Sequence, residues 1–267
     1  MPARRNWRAA REEDHRRMKM AVLRIYAELN DFLPAERRQA PFSRAFGPGT
    51  SVKDLIEGAG VPHTEVDLIL ANGVPVDFSY LVRDGDRISA YPVFESLDIG
   101  PIARLRPRPL REPRFILDTH LGRLARYLRM LGFDALYRND YRDDELARVS
   151  AVGQRILLTR DAGLLKRAVV TRGYWVRETD VRRQLAEVVV RFDLAASVAP
   201  FQRCLRCNGR LEPVEKEVVA GRLPPMVRLQ HREFQRCPDC DRIYWKGSHY
   251  RRMRQWVDLM LARNLTA

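Results

Sequence analysis

The period of apolar and polar positions changes several times along this chain. From Met18, the residues Met20, Val22, Arg24 and Tyr26 fall on one side of an extended segment, the two-residue period of a strand. After Thr50-Ser51, Val52, Leu55 and Ile56 share one face at helical spacing. Short strands are expected over 65–71, 74–78 and 87–92, punctuated by Asn72-Gly73 and by Asp84-Gly85-Asp86, residues that favour tight turns. A strand, a helix and then several short strands predict a small α+β sheet crossed by one helix.

The pattern of the second half is different. Strands are expected over 114–117, 134–137, 155–159 and 174–176, and helices over 121–131, 145–152, 164–170 and 181–192. Leu121, Leu124, Leu128 and Leu131 form the core face of the first of these helices. Alternation of this kind predicts an α/β fold with a doubly wound parallel sheet. Between the halves, residues 101–113 alternate Arg with Pro and so favour an extended, semi-rigid connector. The expected organisation is a basic arm (1–16), an α+β domain (17–98), a linker (99–113), an α/β domain (114–195) and a cysteine-bearing module with a basic C-terminal helix (196–267).

Charge narrows the partners. The formal net charge is +14 and the pI about 10.2, so the surface suits a polyanion. Arginine dominates, and its planar fork matches phosphate oxygens and stacks on bases, which ranks nucleic acid above an anionic membrane. No apolar run nears the roughly 20 residues needed to cross a bilayer. The N-terminus, with Arg4, Arg5, Arg8 and Arg11, lacks a signal-peptide core, and a cytoplasmic protein is expected.

Cys204, Cys207, Cys237 and Cys240 form two CxxC pairs, the spacing of a tetrahedral four-thiolate Zn²⁺ site. Such a site has no open coordination position, so its expected role is structural. Around it Lys246, His249, Tyr250, Arg251 and Arg252 interleave basic and aromatic side chains suited to phosphates and unpaired bases. Tyr244 and Trp245 fit that role or simple packing on the module's core equally well.

Acids fall where the strands of the parallel sheet end. Asp118 follows strand 114–117 and Asp161 follows strand 155–159, the edge at which open parallel sheets build their sites. Asp143, Asp144 and Glu145 follow the second strand, and Asp180 the fourth. Gathered carboxylates repel one another unless they hold a hard cation, and Mg²⁺ or Mn²⁺ there would support phosphodiester hydrolysis. Asp118, Asp143, Asp161 and Asp180 also have a plain reading as helix N-caps, the stronger reading for Asp180 and an equal one for Asp143, and Asp144 one as a solvated helix residue. Arg123, Arg126 and Arg129 line one flank of the helix beside Asp118, and with Arg160, Lys246 and Arg251 they are the candidate nucleic-acid contacts.

Two stretches carry a resemblance. Residues 118–134, from Asp118-Thr119-His120-Leu121-Gly122-Arg123 to Leu131-Gly132-Phe133-Asp134, with Leu157-Leu158-Thr159-Arg160-Asp161, resemble the Mut-seven C-terminal RNase family. That family combines a PIN-like nuclease with a zinc ribbon, often behind a ubiquitin-like domain. Leu70-Ala71-Asn72-Gly73 and Asp84-Gly85-Asp86-Arg87 likewise resemble the β-grasp fold, particularly its sulfur-carrier branch. A carrier needs a free Gly-Gly terminus, whereas this segment runs on through Glu95 to Gly100, which leaves docking to a protein partner or binding RNA as its role. The resemblance implies catalytic Asp118 and Asp161, with Asp143 or Glu145 as the acid between them. It implies a metal-dependent ribonuclease, for which structured RNA such as tRNA is one candidate substrate. The alternative is a non-catalytic RNA-binding or ribosome-associated protein.

Overall fold

The computed structural model describes residues 18–92 and 113–264; the basic arm and all of the Arg/Pro connector except Pro113 lie outside them. The described residues fall into two compact units on either side of that connector.

The N-terminal unit is a five-stranded mixed sheet. Its strands are β1 (Lys19–Ile25), β2 (Phe42–Phe46), β3 (Leu68–Ala71), β4 (Val74–Val76) and β5 (Arg87–Tyr91), in the order β2-β1-β5-β3-β4. Only β1 and β5 run parallel, which makes this a β-grasp arrangement. One helix, α1 (Val52–Ala59), buries Val52, Leu55, Ile56 and Ala59 in a core shared with Leu23, Ile25, Ile69, Ile88 and Ala90. Ser51 caps it by accepting from the Asp54 amide. The strand expected over 65–71 begins later because His63–Glu65 forms a 3₁₀ turn. β4 stops early because Asp77 accepts from the Ser79 amide and turns the chain.

The turn motifs of this unit are explained by one buried carboxylate. Asp86 accepts from Asn72 Nδ2 at 2.8 Å, Tyr80 Oη at 3.0 Å and the Arg83 amide at 2.8 Å. Asn72 Oδ1 in turn accepts from the Arg87 amide, and Asp84 accepts from the Met20 amide. The Asn-Gly and Asp-Gly-Asp turns therefore hold each other and the start of β1.

The second unit contains a parallel sheet of β6 (Arg114–Leu117), β7 (Asp134–Tyr137), β8 (Ile156–Thr159) and β9 (Gly173–Trp175), in the order β7-β6-β8-β9. Its helices are α2 (Gly122–Met130), α3 (Asp143–Val152), α4 (Ala162–Leu165) and α5 (Val181–Arg191). Alternate strand residues face opposite layers, as the two-residue period requires. Phe115, Leu117, Ile156 and Leu158 meet α2 and α5, while Ile116 and Leu157 meet α3 and α4. The sheet is thus doubly wound, and the helix expected over 164–170 shrinks to the single turn of α4.

The remaining residues belong to the same unit. β10 (Glu212–Val214), β11 (Phe234–Arg236) and β12 (Ile243–Trp245) make a small antiparallel sheet, with α6 (Lys216–Val219) and α7 (Pro225–Gln230) between its first two strands. The last helix, α8 (Ser248–Asn264), is the expected basic C-terminal helix and returns to the α/β layer. Its Val257 is fully buried with the α2 and α5 core, and Trp256 meets Tyr127 of α2 edge-on at 5.1 Å.

Candidate active site and metal cluster

Strand order reverses beside β6: the chain leaves it through α2 to β7 on one side and later fills β8 on the other. The crevice at such a reversal is where open parallel sheets place ligands. Asp118 stands at the end of β6 and Asp161 just past the end of β8, so both acids flank this point.

Asp118 is buried, at 7% exposure. Its Oδ1 accepts from the Thr119 amide and hydroxyl, and its Oδ2 from Thr159 Oγ1 at 2.7 Å. Thr159 Oγ1 also accepts from the Asp161 amide at 2.9 Å. One buried hydroxyl thereby ties the two strand ends together, and neither carboxylate has an arginine or lysine partner among the described residues. Asp161 is exposed and caps α4 through the Gly163 amide, so it serves as an N-cap while presenting its charge to solvent. Thr159 was not among the candidates read from the sequence; the hydroxyl in the penultimate position before Asp161 was the available signal. Tyr137 crosses the start of α2 and donates to the Thr119 carbonyl at 2.9 Å. A Cβ at Gly122 would lie 2.5 Å from that tyrosine ring, which is why glycine stands there.

The middle acids are placed differently. All three open α3, and each faces an arginine: Asp143 with Arg167 at 3.6 Å, Asp144 with Arg142 at 3.3 Å, and Glu145 with Arg138 at 3.0 Å. Arg142 rather than Asp143 occupies the N-cap position. Among the described residues, the acids do not close with Asp118 and Asp161 into a group of metal-site dimensions. Asp180 caps α5 through the Arg182 and Arg183 amides.

The candidate RNA contacts divide. Arg123 and Arg126 are exposed on α2, and Arg251 is exposed on α8. Arg129 is the correction: it is 2% exposed and donates to the carbonyls of Ala135 at 2.8 Å, Arg206 at 2.8 Å and Leu205 at 3.4 Å. The helical period carries it off the solvent flank into the junction with the first CxxC pair, so it cannot reach a phosphate. Arg160 is exposed, yet one of its terminal nitrogens is spent on the carbonyls of Val176, Arg177 and Glu178. Lys246 pairs with Glu233 at 2.6 Å.

The four cysteines converge, with all Sγ atoms within 4.8 Å of one another. Cys204 lies 3.5 Å from Cys240 and Cys207 3.3 Å from Cys237. A tetrahedron of thiolates on zinc has edges of about 3.8 Å, so small adjustments admit the ion. Both CxxC pairs are followed by a left-handed residue, Asn208 and Asp241, and both turn back with an amide-to-carbonyl bond to the first cysteine. A Cβ on Gly209 would collide with Asp239 and crowd Cys237 Sγ at 3.0 Å, so glycine lets the two knuckles meet. Tyr244 Oη lies 3.1 Å from Cys204 Sγ and accepts from the Leu205 amide, which gives this tyrosine a packing role. Burial pushes the Cys204 thiol up, but the Tyr244 hydroxyl and the amides of Cys207 and Arg206 outweigh it and hold it at about 6.

The first knuckle is fastened to the parallel sheet. Asn208 accepts from the Ala135 amide and donates to Asp134 Oδ1 at 2.8 Å, and Arg203 donates to the Gly132 carbonyl. Asp134 also receives both terminal nitrogens of Arg155.

Fold and site together define the class: a PIN-like α/β domain carrying a four-cysteine metal cluster, with a β-grasp domain ahead of it in the chain. More particularly, the protein belongs to the Mut7-C RNAse domain family, whose sequence model matches residues 113–257, over half of the chain. The Mut7-C ubiquitin model matches residues 18–98. No curated protein matches the chain. Among the described residues, no helix is long and apolar enough to cross a membrane.

Proposed function

We propose that this protein is a metal-dependent ribonuclease that hydrolyses RNA phosphodiesters at the carboxyl edge of its parallel sheet, acting in the cytoplasm on structured RNA such as tRNA. The observation that carries the reading is the pair Asp118 and Asp161, two carboxylates without cationic partners among the described residues, coupled through Thr159 at the strand-order reversal. Mg²⁺ retains much of its water and needs only one or two protein carboxylates, so this pair is a sufficient anchor. A Mg²⁺ or Mn²⁺ ion, if held by Asp118 and Asp161, would lower the pKa of a bound water and would offset charge developing on the phosphate.

The chain's own groups have separate tasks. Thr159 holds Asp118 Oδ2 in place, the Thr119 amide and hydroxyl hold Oδ1, and Asp161 is fixed by the first turn of α4. Asp143 or Glu145 joins the pair only on leaving Arg167 or Arg138. The cysteine cluster takes Zn²⁺ as a structural ion, and the β-grasp domain offers a surface to a protein partner.

The arginine pairing of the middle acids favours a second reading, a non-catalytic RNA-binding protein. End chemistry separates them. Purified protein incubated with total RNA and Mg²⁺ or Mn²⁺ should generate new 5′-phosphate and 3′-hydroxyl ends. Activity that persists without divalent cation and leaves 2′,3′-cyclic phosphates would contradict hydrolysis at this site. A lack of new ends under any metal would leave the binding reading standing.

A further inference from the structure

A cleft of about 630 Å³ opens between α2, the start of α5, the first cysteine knuckle and α8. Its rim carries Arg123 and Arg126 from α2, Arg182 from α5 and Arg252 from α8, and no acidic residue lines it. The rest of its lining is apolar apart from His249: Tyr127, Met130, Leu205, Met253 and Trp256. From this we infer a subsite for single-stranded RNA: an unpaired base lies on the Tyr127–Trp256 floor while flanking phosphates meet the four arginines. The inference rests on the ribonuclease reading and names the form of RNA that reaches its site.

Three observations favour this occupant. First, the four guanidinium groups have no ion pair or side-chain hydrogen bond among the described residues, so all four converge on one opening with their charges free to meet an anion. Four like charges around one opening focus a positive potential that draws an anion. Second, a partner matched to charge alone would need no apolar bed, whereas a nucleotide brings phosphate and a flat ring together. Tyr127 and Trp256 meet edge-on in that bed, their ring centroids 5.1 Å apart. Third, α2 starts four residues after Asp118 and α5 starts directly after Asp180, so Arg123 and Arg182 stand in the first turns of helices that begin at the acid-bearing edge of the sheet. A strand seated in the cleft is led toward Asp118 and Asp161. Lys246 and Arg251, taken from the sequence as contacts, do not line the cleft; Arg182 and Leu205 do.

The test uses the full chain, a fluorescent oligouridylate and no added divalent cation, so that binding is read without cleavage. Arg126→Ala/Arg252→Ala should weaken binding about tenfold or more at moderate salt. It should also flatten the slope of log affinity against log salt by about 1.4, the value for two lost single-strand phosphate contacts. Arg123→Ala/Arg182→Ala repeats the measurement independently should the first pair unfold. An oligonucleotide carrying 4-thiouridine should cross-link to peptides 123–130 and 249–256. Unchanged affinity and slope in both pairs, or cross-links confined to other peptides, would overturn the proposal. So would equal binding of a duplex of the same length, or displacement by polyglutamate at equal charge, which would make the cleft a docking site for an acidic protein. Cleavage by Asp161→Asn is scored separately. An inactive Asp161 variant beside unaffected arginine pairs sinks the subsite alone, and the converse result sinks the nuclease reading alone.

Discussion

Arg129 and Arg123 stand six residues apart on the same helix, on different faces, and do unrelated work. Arg129 is buried and links α2, the start of β7 and the first knuckle through three carbonyls. Burial lowers its pKa, opposed by the charges of Cys207 and Cys204 beside it. A zinc ion held by four thiolates would carry a net negative charge, which this neighbouring guanidinium would help to offset. Arg129→Ala should therefore cost roughly 2–4 kcal/mol by leaving buried carbonyls unpaired, whereas Arg123→Ala should stay within about 0.5 kcal/mol. Urea unfolding of the two variants checks this, and equal midpoints would contradict it. Sequence alone grouped these arginines because a flank of a helix is wider than its solvent-facing stripe. The burial of Arg129 follows from a knuckle more than seventy residues away, which no local period encodes.

At the scale of elements, the turns of the β-grasp unit make a prediction about acid. Burial raises the pKa of Asp86, but the bonds from the Arg83 amide, Asn72 and Tyr80, with the Arg83 charge, outweigh it and hold the carboxyl below its ordinary value. A depressed folded pKa contributes stability above the unfolded value of about 3.9 and loses it as pH falls through the folded value. Protection of the amides over residues 72–87 against exchange, relative to unstructured peptide at the same pH, should be high at pH 5 and fall below about pH 4. In Asp86→Asn protection should already be lower at pH 7 and change less with acid; an unaltered profile would contradict the account. Elements with strong periods were legible from sequence: α1, the strands β6 to β9 and the leucine face of α2 fall within a residue or two of expectation. β2 was not, because Phe42–Phe46 is a half-exposed edge strand whose Ser43 and Arg44 weaken its alternation. Nor were α6 and α7, one-turn and two-turn helices held by the small core of Val219, Leu223 and Phe234. Of the site, Asp118 and Asp161 were legible from strand ends; the Thr159 bridge and the Arg167 partner of Asp143 were not, since they depend on which strands and helices are neighbours.

Across the whole second unit, the cysteine cluster and the sheet are mechanically one object. Asn208, Arg203 and Arg129 fasten the first knuckle to Ala135, Gly132 and Asp134, so the cluster braces β7 and the end of α2 as well as its own loops. Stripping the metal with a strong chelator, or Cys207→Ser, should therefore speed amide exchange over residues 129–137 as well as around the cysteines. Elemental analysis should find one zinc per chain in protein purified without chelator. Loosening confined to residues 203–245 would show instead that the cluster is an independent module.

The central claim is that Asp118 and Asp161 anchor the hydrolytic metal, and the cleavage rate of their asparagine variants tests it most directly. Asparagine nearly preserves size and removes the charge that a cation requires, while an N-cap function survives the change with little loss. On one RNA at saturating Mg²⁺ or Mn²⁺, Asp118→Asn and Asp161→Asn should each cleave about 100-fold or more slowly than the parent. Asp144→Asn should cleave at the parent rate, and whichever of Asp143→Asn and Glu145→Gln falls with the first pair is the third ligand. Parent-rate cleavage by both Asp118→Asn and Asp161→Asn would contradict the account and move the chemistry, if any, away from this edge of the sheet.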